Sequence, residues 1–174
     1  MNNDNTKTHD DLVADWKARA ERNDEKNYQF LRGLKQQSFE KVDRIALQLH
    51  QEAFSIVDCT RCANCCRTMR IGVTHEDIPR IAKHLGMAPE EFVIAYLEPN
   101  KEAGGYRMKM IPCPFLGDDN KCKIYDVRPE GCRAYPYTDK PAFPTRSIAH
   151  SQSAVVCPAV FYIVEQMKKR MGRR

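Results

Sequence analysis

Large aliphatic material is scarce in this chain. Leu, Ile, Val and Phe supply 35 of its 174 residues, about one in five, close to the composition of chains that do not fold unaided. There is one tryptophan, 29% of residues are charged, and the mean hydropathy is −0.62. No apolar run approaches the roughly 20 residues that cross a bilayer, so no membrane-spanning helix is expected. The opening MNNDNTKTHDDLVADW has no basic n-region, no apolar h-region and no small-residue cleavage site, which leads to the expectation of a cytoplasmic protein. There is no G-x-G-x-x-G loop for a nucleotide or methyl-donor cofactor. No Ser-His-Asp set or paired carboxylates suggest hydrolysis, and there is no internal repeat.

Cysteine, in contrast, is plentiful. Cys59, Cys62, Cys65 and Cys66 fall within the eight residues CTRCANCC, and Cys113, Cys122, Cys132 and Cys157 follow singly. Disulfide, metal site and reactive thiol are the three candidate uses. An even count of eight suits four disulfides, but thiols in the cytoplasm are kept reduced. Metal binding is therefore the favoured expectation. A structural metal contributes roughly 10 kcal/mol or more, which a chain with so thin a core would need.

In C-x2-C the intervening turn aims two sulfurs inward at one metal, and a further x2-C adds a third ligand to the same wrap. The adjacent Cys66 points away from Cys65, so it belongs to a second metal or is a free thiol beside the first. The expected grouping is Cys59, Cys62 and Cys65 with one distant cysteine, and Cys66 with the rest. Zinc prefers four N/S ligands, so eight cysteines suit two zinc sites. A [4Fe–4S] cluster also takes four thiolates, and softness does not separate the two metals. Arg61, Arg67, Arg70, Arg128 and Arg133 lie near the cysteines in sequence and are candidates to moderate thiolate charge. Arg133 is a candidate partner for a thiolate, and Tyr125 or Tyr135 for packing over the site. The five histidines show no spacing that matches the cysteines, and His75 reads as a surface residue.

The expected fold is mainly α with little β, an irregular metal-stabilised domain. Residues 1–27 are polar, with five basic and seven acidic side chains, and read as a flexible arm with a short helix near 11–22. Residues 28–174 read as a single cysteine-cluster domain. Apolar residues at three- and four-residue steps from Leu31 to Ile56 predict a long helix from Tyr28 nearly to Cys59. Thr74 to Asp77 reads as a capping box ahead of a helix closed by Gly86. Pro89-Glu90-Glu91 opens another helix. Residues 69–73 and 106–111 read as extended, and Gly117 to Asn120 as a turn within a short hairpin joining Cys113 to Cys122. Residues 138–154 read as a polar loop. A C-terminal helix then follows Cys157, with Val160, Phe161, Val164 and Met167 on one face.

The order C59-x2-C62-x2-C65-C66, then C113-P-F-L, then C122-x-I-Y-D-x-R-P-x-x-C132-R-x-Y-P, then C157-P, resembles the YkgJ-type cysteine-cluster family. The segment T-x-E-D-I-x-R-I-A-x-x-L-G at 74–86 resembles that family's connecting helix. The resemblance covers about residues 55–162 and implies a zinc- or iron-chelating domain using all eight cysteines, with an iron–sulfur oxidoreductase as the implied enzyme. A flagellin lysine methylase carries a related cluster, which adds protein modification to the implied roles. The implied partner is a redox or substrate protein. The alternative is a structural zinc module that binds a protein or nucleic acid through the basic tail, where residues 165–174 carry five cations and one acid.

Overall fold

The computed structural model describes residues 8–172. The fold is mainly α with one small sheet, as the sequence predicts, and the chain divides into two compact units. One comprises residues 1–62 and 136–174, the other Ala63–Tyr135.

The first unit opens with α1 (His9–Val13), α2 (Trp16–Arg22), α3 (Asp24–Gly33), α4 (Phe39–Ile56) and α5 (Cys59–Cys62). In the segment read as an arm, residues 1–7 lie outside the described residues. Three helices with a break at Ala14 and Asp15 follow from His9, and Trp16, Ala20 and Asn27 are buried. Thr8 caps α1 reciprocally with Asp11. The helix predicted from Tyr28 to Cys59 is not continuous. It stops at Gly33, passes through a 3-10 turn at Leu34–Gln36, and restarts as α4, where the Ser38 side chain accepts from Lys41 N. The Ser38 hydroxyl meets one of the first-turn amides that the break leaves without an intrahelical partner, and the apolar stripe runs on across the break. Val42, Ala46, Leu49 and Ala53 form the buried face of α4. After the second unit's elements, which include α6 to α9, come α10 (Ser147–Val156) and α11 (Pro158–Met171). Helix α11 packs on α4 and α10 and buries Val160, Phe161, Val164 and Met167, the predicted face.

Residues 138–154 are not the polar loop that composition suggested. They form a 3-10 turn at Phe143–Arg146 and then α10. The buried positions of α10 are Ser147, His150, Ser151 and Ala154. That spacing is helical, but small and polar residues carry it, so a search for apolar periodicity passes over it. Ser151 Oγ donates to Asp24 Oδ1 at 3.0 Å, and Asp43 on α4 accepts from the backbone N–H groups of Ala142 and Phe143 at 2.7 and 2.9 Å.

The second unit contains α6 (Asn64–Thr68), β1 (Gly72–Val73), α7 (Asp77–Leu85), α8 (Pro89–Tyr96), β2 (Leu97–Pro99), β3 (Tyr106–Met108) and α9 (Glu130–Ala134). The three strands form an antiparallel sheet in the order β1-β3-β2, with Gly72 opposite Arg107 and Leu97 opposite Met108. Thr74 and Asp77 exchange the predicted capping hydrogen bonds, at 2.9 and 3.2 Å. Gly86 ends α7 with φ +69°, a conformation glycine adopts without penalty. Ile78, Ile81, Phe92, Leu97, Met108, Phe115 and Ile124 are among the buried core of this unit. Cys113 and Cys122 pack against that core, joined by a tight turn with a bridge between Leu116 and Cys122. Among the described residues no helix is long and apolar enough to cross a membrane.

Candidate metal centre

All eight cysteines are free thiols. Three lie in the first unit (Cys59, Cys62, Cys157) and five in the second (Cys65, Cys66, Cys113, Cys122, Cys132).

In the first unit, α5 is one turn of helix and depends on its neighbours. Asp58 supplies the cap: its Oδ1 accepts from the Thr60 N–H at 2.8 Å and the Thr60 hydroxyl at 2.7 Å. Those two bonds hold the Asp58 carboxyl below the usual carboxylate range. From α1, His9 Nδ1 accepts the Asp58 N–H at 3.0 Å and Asp10 pairs with Arg61 at 2.8 Å. Because His9 Nδ1 is the acceptor, a neutral His9 carries its proton on Nε2 and offers no lone pair to a metal. His9 therefore supports the C-x2-C turn and is not a ligand. No spacing in the sequence points to this role. Cys157 is buried at the N-cap of α11. Burial pushes its thiol up to about 12, the N–H groups of Val160 and Ala159 oppose that, and the charges of Cys59 and Cys62 add to it. The structure thus brings Cys157 within electrostatic reach of both thiols of the C-x2-C turn.

In the second unit, four thiols influence one another's ionisation. Cys132 feels Cys66, Cys113 and Cys122; Cys113 feels Cys66 and Cys122; Cys122 feels Cys66. Every pair of the four is within electrostatic reach. Backbone hydrogen bonds fix the segments that carry these thiols. The Cys113 N–H donates to the Cys66 carbonyl at 2.8 Å, the Lys123 N–H to Phe115 O at 2.8 Å, and the Cys132 N–H to Pro129 O at 2.9 Å. Burial raises the thiols of Cys113 and Cys122, and pushes Cys132 up to about 12. Backbone N–H groups two and three residues on work against burial, from Phe115 and Leu116 toward Cys113 and from Ile124 toward Cys122. Cys66 is pulled down to about 7, chiefly by a hydrogen bond from the Cys65 thiol, with burial opposing and Arg67 assisting.

Of the five candidate arginines, Arg67 favours thiolate at Cys66 and Arg128 at Cys122 and Cys132, while Arg133 is engaged elsewhere. Arg133 does not pair with a thiolate. Its guanidinium goes to the carbonyl oxygens of Arg128, at 3.3 Å, and Asp126. The cation that favours thiolate at Cys122 and Cys132 is Arg128. It stacks on Tyr125 with its Cζ 3.8 Å from the ring centroid and donates to Tyr125 O at 2.7 Å. Arg70 pairs with Glu98 at 2.9 Å. His75 is exposed and meets the edge of Tyr106, as its surface reading anticipates.

Thiolates are the donor type that zinc and iron–sulfur centres take, and amides aimed at sulfur favour the ionised form. The donor set therefore fits a thiophilic metal. Among the described residues no three Cys, His, Asp or Glu side chains converge closely enough to hold an ion as they stand, so loading would draw the thiols together.

The family model described as "CxxCxxCC: Putative zinc- or iron-chelating domain" matches residues 58–158. The uncharacterized protein MJ0661 of Methanocaldococcus jannaschii is 36% identical over 88 residues. That alignment takes in 46% of this chain and 44% of the archaeal one, so the chain spans less than half of that relative's length. No solved structure matches the chain. With eight free thiols, the C-x2-C-x2-C-C start and a family match that includes every cysteine, the chain belongs to the CxxCxxCC family of zinc- or iron-chelating domains.

Proposed function

We propose that this protein is a cytoplasmic metal chelator holding zinc or iron through two thiolate sets. One is Cys66, Cys113, Cys122 and Cys132. The other is built on Cys59, Cys62 and Cys157. The observation that carries this reading is the hydrogen bond from the Cys113 N–H to the Cys66 carbonyl at 2.8 Å, which joins the C-x2-C-x2-C-C segment to the turn carrying Cys113 and Cys122, both packed on one core. The mutual charge effects among Cys66, Cys113, Cys122 and Cys132 support it. The cytoplasm is the compartment in which such donors stay reduced. Bound there, zinc would act as a structural cross-link, and an iron–sulfur cluster would supply one-electron transfer to a redox or substrate protein. A nucleic-acid role for the basic tail is less well supported, because Lys168 pairs with Glu165 and Arg170 with Glu52.

The test is metal and sulfide analysis of anaerobically purified protein, with Cys→Ser variants. Zinc or iron in the wild type is expected. Cys66→Ser and Cys132→Ser should deplete the same centre, and Cys157→Ser a different one. Protein with neither metal would overturn the reading. Loss of one shared centre in Cys132→Ser and Cys157→Ser would overturn the grouping.

A further inference from the structure

We infer that Asp77 is a positioning residue for the thiol quartet of the second unit, acting through the segment that carries Cys132. The inference rests on reading that quartet as a metal site. Asp77 is the first residue of α7 and its side chain is 1% exposed. Its carboxylate accepts from the Thr74 N–H at 2.9 Å, from Arg80 Nη2 at 2.5 Å, and from the Glu130 N–H at 3.1 and 3.3 Å through its two oxygens. Glu130 is the first residue of α9, and the N-cap position before it is Pro129, whose side chain has no acceptor. A carboxylate 53 residues away in sequence thus does the work of the missing cap.

The other side of Pro129 is held from the same helix. Arg80, itself paired with Asp77, donates to Arg128 O at 3.1 Å. The peptide groups before and after Pro129 are both anchored to α7, and Cys132 follows three residues after that proline, its N–H bonded to Pro129 O. The direction of the Cys132 thiol is therefore set by a salt-bridged, buried carboxylate that does not itself meet the metal. An asparagine in this place has one acceptor oxygen and turns an NH2 toward N–H groups, so it cannot serve all three donors.

The test titrates cobalt(II), a probe whose thiolate charge-transfer absorption reports sulfur ligation, into wild type, Asp77→Asn, Cys132→Ser and the double variant. Asp77→Asn is expected to weaken the quartet's affinity about 10–100-fold, the range for residues that orient metal ligands. In the Cys132→Ser background it should add no further loss, because Asp77 acts through Cys132. An equal loss in both backgrounds, or none in either, would overturn the inference. Arg80→Met, which removes the contact to Arg128 O and keeps the Asp77 bonds to Thr74 and Glu130, should show a smaller loss with the same dependence on Cys132. It serves if Asp77→Asn does not fold. Alkylation by iodoacetamide gives a readout independent of metal. Cys132 should react several-fold faster in metal-free Asp77→Asn than in wild type, with Cys157 unchanged; equal Cys132 rates would overturn the inference. A wild type that takes no cobalt would defeat the metal reading instead, leaving alkylation to decide the role of Asp77.

Discussion

The buried imidazole of His150 makes the stability of the fold fall with pH below neutrality. The ring is 1% exposed and stacks on Phe143 with centroids 4.1 Å apart. Neither ring nitrogen has a hydrogen-bond partner. Burial, then the nearby charge of Arg146, lowers its pKa from 6.5 to about 4. Above pH 6.5 the imidazole is neutral in folded and unfolded chains alike. As pH falls below that value the unfolded chain takes up a proton that the folded chain refuses, so stability falls until the folded form also protonates near pH 4. At about 1.4 kcal/mol per tenfold change in proton affinity, the full loss is about 3 kcal/mol, with about 2 of it reached by pH 5. The assay is urea unfolding of wild type and His150→Leu at pH 7, 6 and 5. Carboxylates and metal-bound thiolates contribute equally to both proteins, so the difference between their pH slopes isolates His150. The wild type should lose about 2 kcal/mol more than the variant between pH 7 and 5. The stack on Phe143 and the two unmet nitrogens affect the offset at pH 7, not the slope. Parallel slopes would refute the reasoning and mean that the ring can take up its proton in the folded state.

Two further predictions concern the thiol sets. A Cβ added at Gly131 would lie 2.9 Å from Gly72 O and 3.0 Å from Ile71 Cγ2. Gly131→Ala should therefore cost about 1–3 kcal/mol through overpacking and weaken metal uptake at the neighbouring Cys132; an unchanged melting temperature would count against the close approach of α9 to β1. Cys132 and Cys157, each pushed up to about 12, hold protons at neutral pH in the metal-free protein. Zinc added in weakly buffered solution should release protons, and affinity should fall with pH; zinc binding without proton release would contradict this.

What could be read in advance was written in local chemistry. Thr74 with Asp77, Gly86 and Pro89 each fix a helix end within a few residues of themselves, so α7 and α8 were legible. The hairpin between Cys113 and Cys122 was legible for the same reason, through its Gly-Asp-Asp-Asn turn. Helix α10 was hidden because Ser147, His150 and Ser151 occupy its buried face. Half of the Asp77 role was visible as a capping box, but its bond to Glu130 depends on where α9 lies. The same limit applies to the arginines. Proximity in sequence names Arg128 and Arg133 alike, whereas the guanidinium of Arg133 is taken by two carbonyl oxygens and it is the charge of Arg128 that acts on Cys122 and Cys132.

The placement of the sulfurs suits a fold with so thin a core. Cys113 and Cys122 pack on the cluster formed by Phe92, Phe115 and Ile124, so the hairpin that carries two sulfurs also closes the core of its unit. Cys157 stands at the N-cap position of α11, whose next residues include Val160 and Val164, buried in the other unit. In each unit a donor sits at the edge of the apolar interior, where drawing thiols onto a metal would tighten the packing behind them. Metal binding free energy would then be folding free energy, at roughly 10 kcal/mol or more for a structural site. Set against the 5–15 kcal/mol by which whole domains are stable, that contribution is large enough for the cysteines to replace the aliphatic residues the composition lacks.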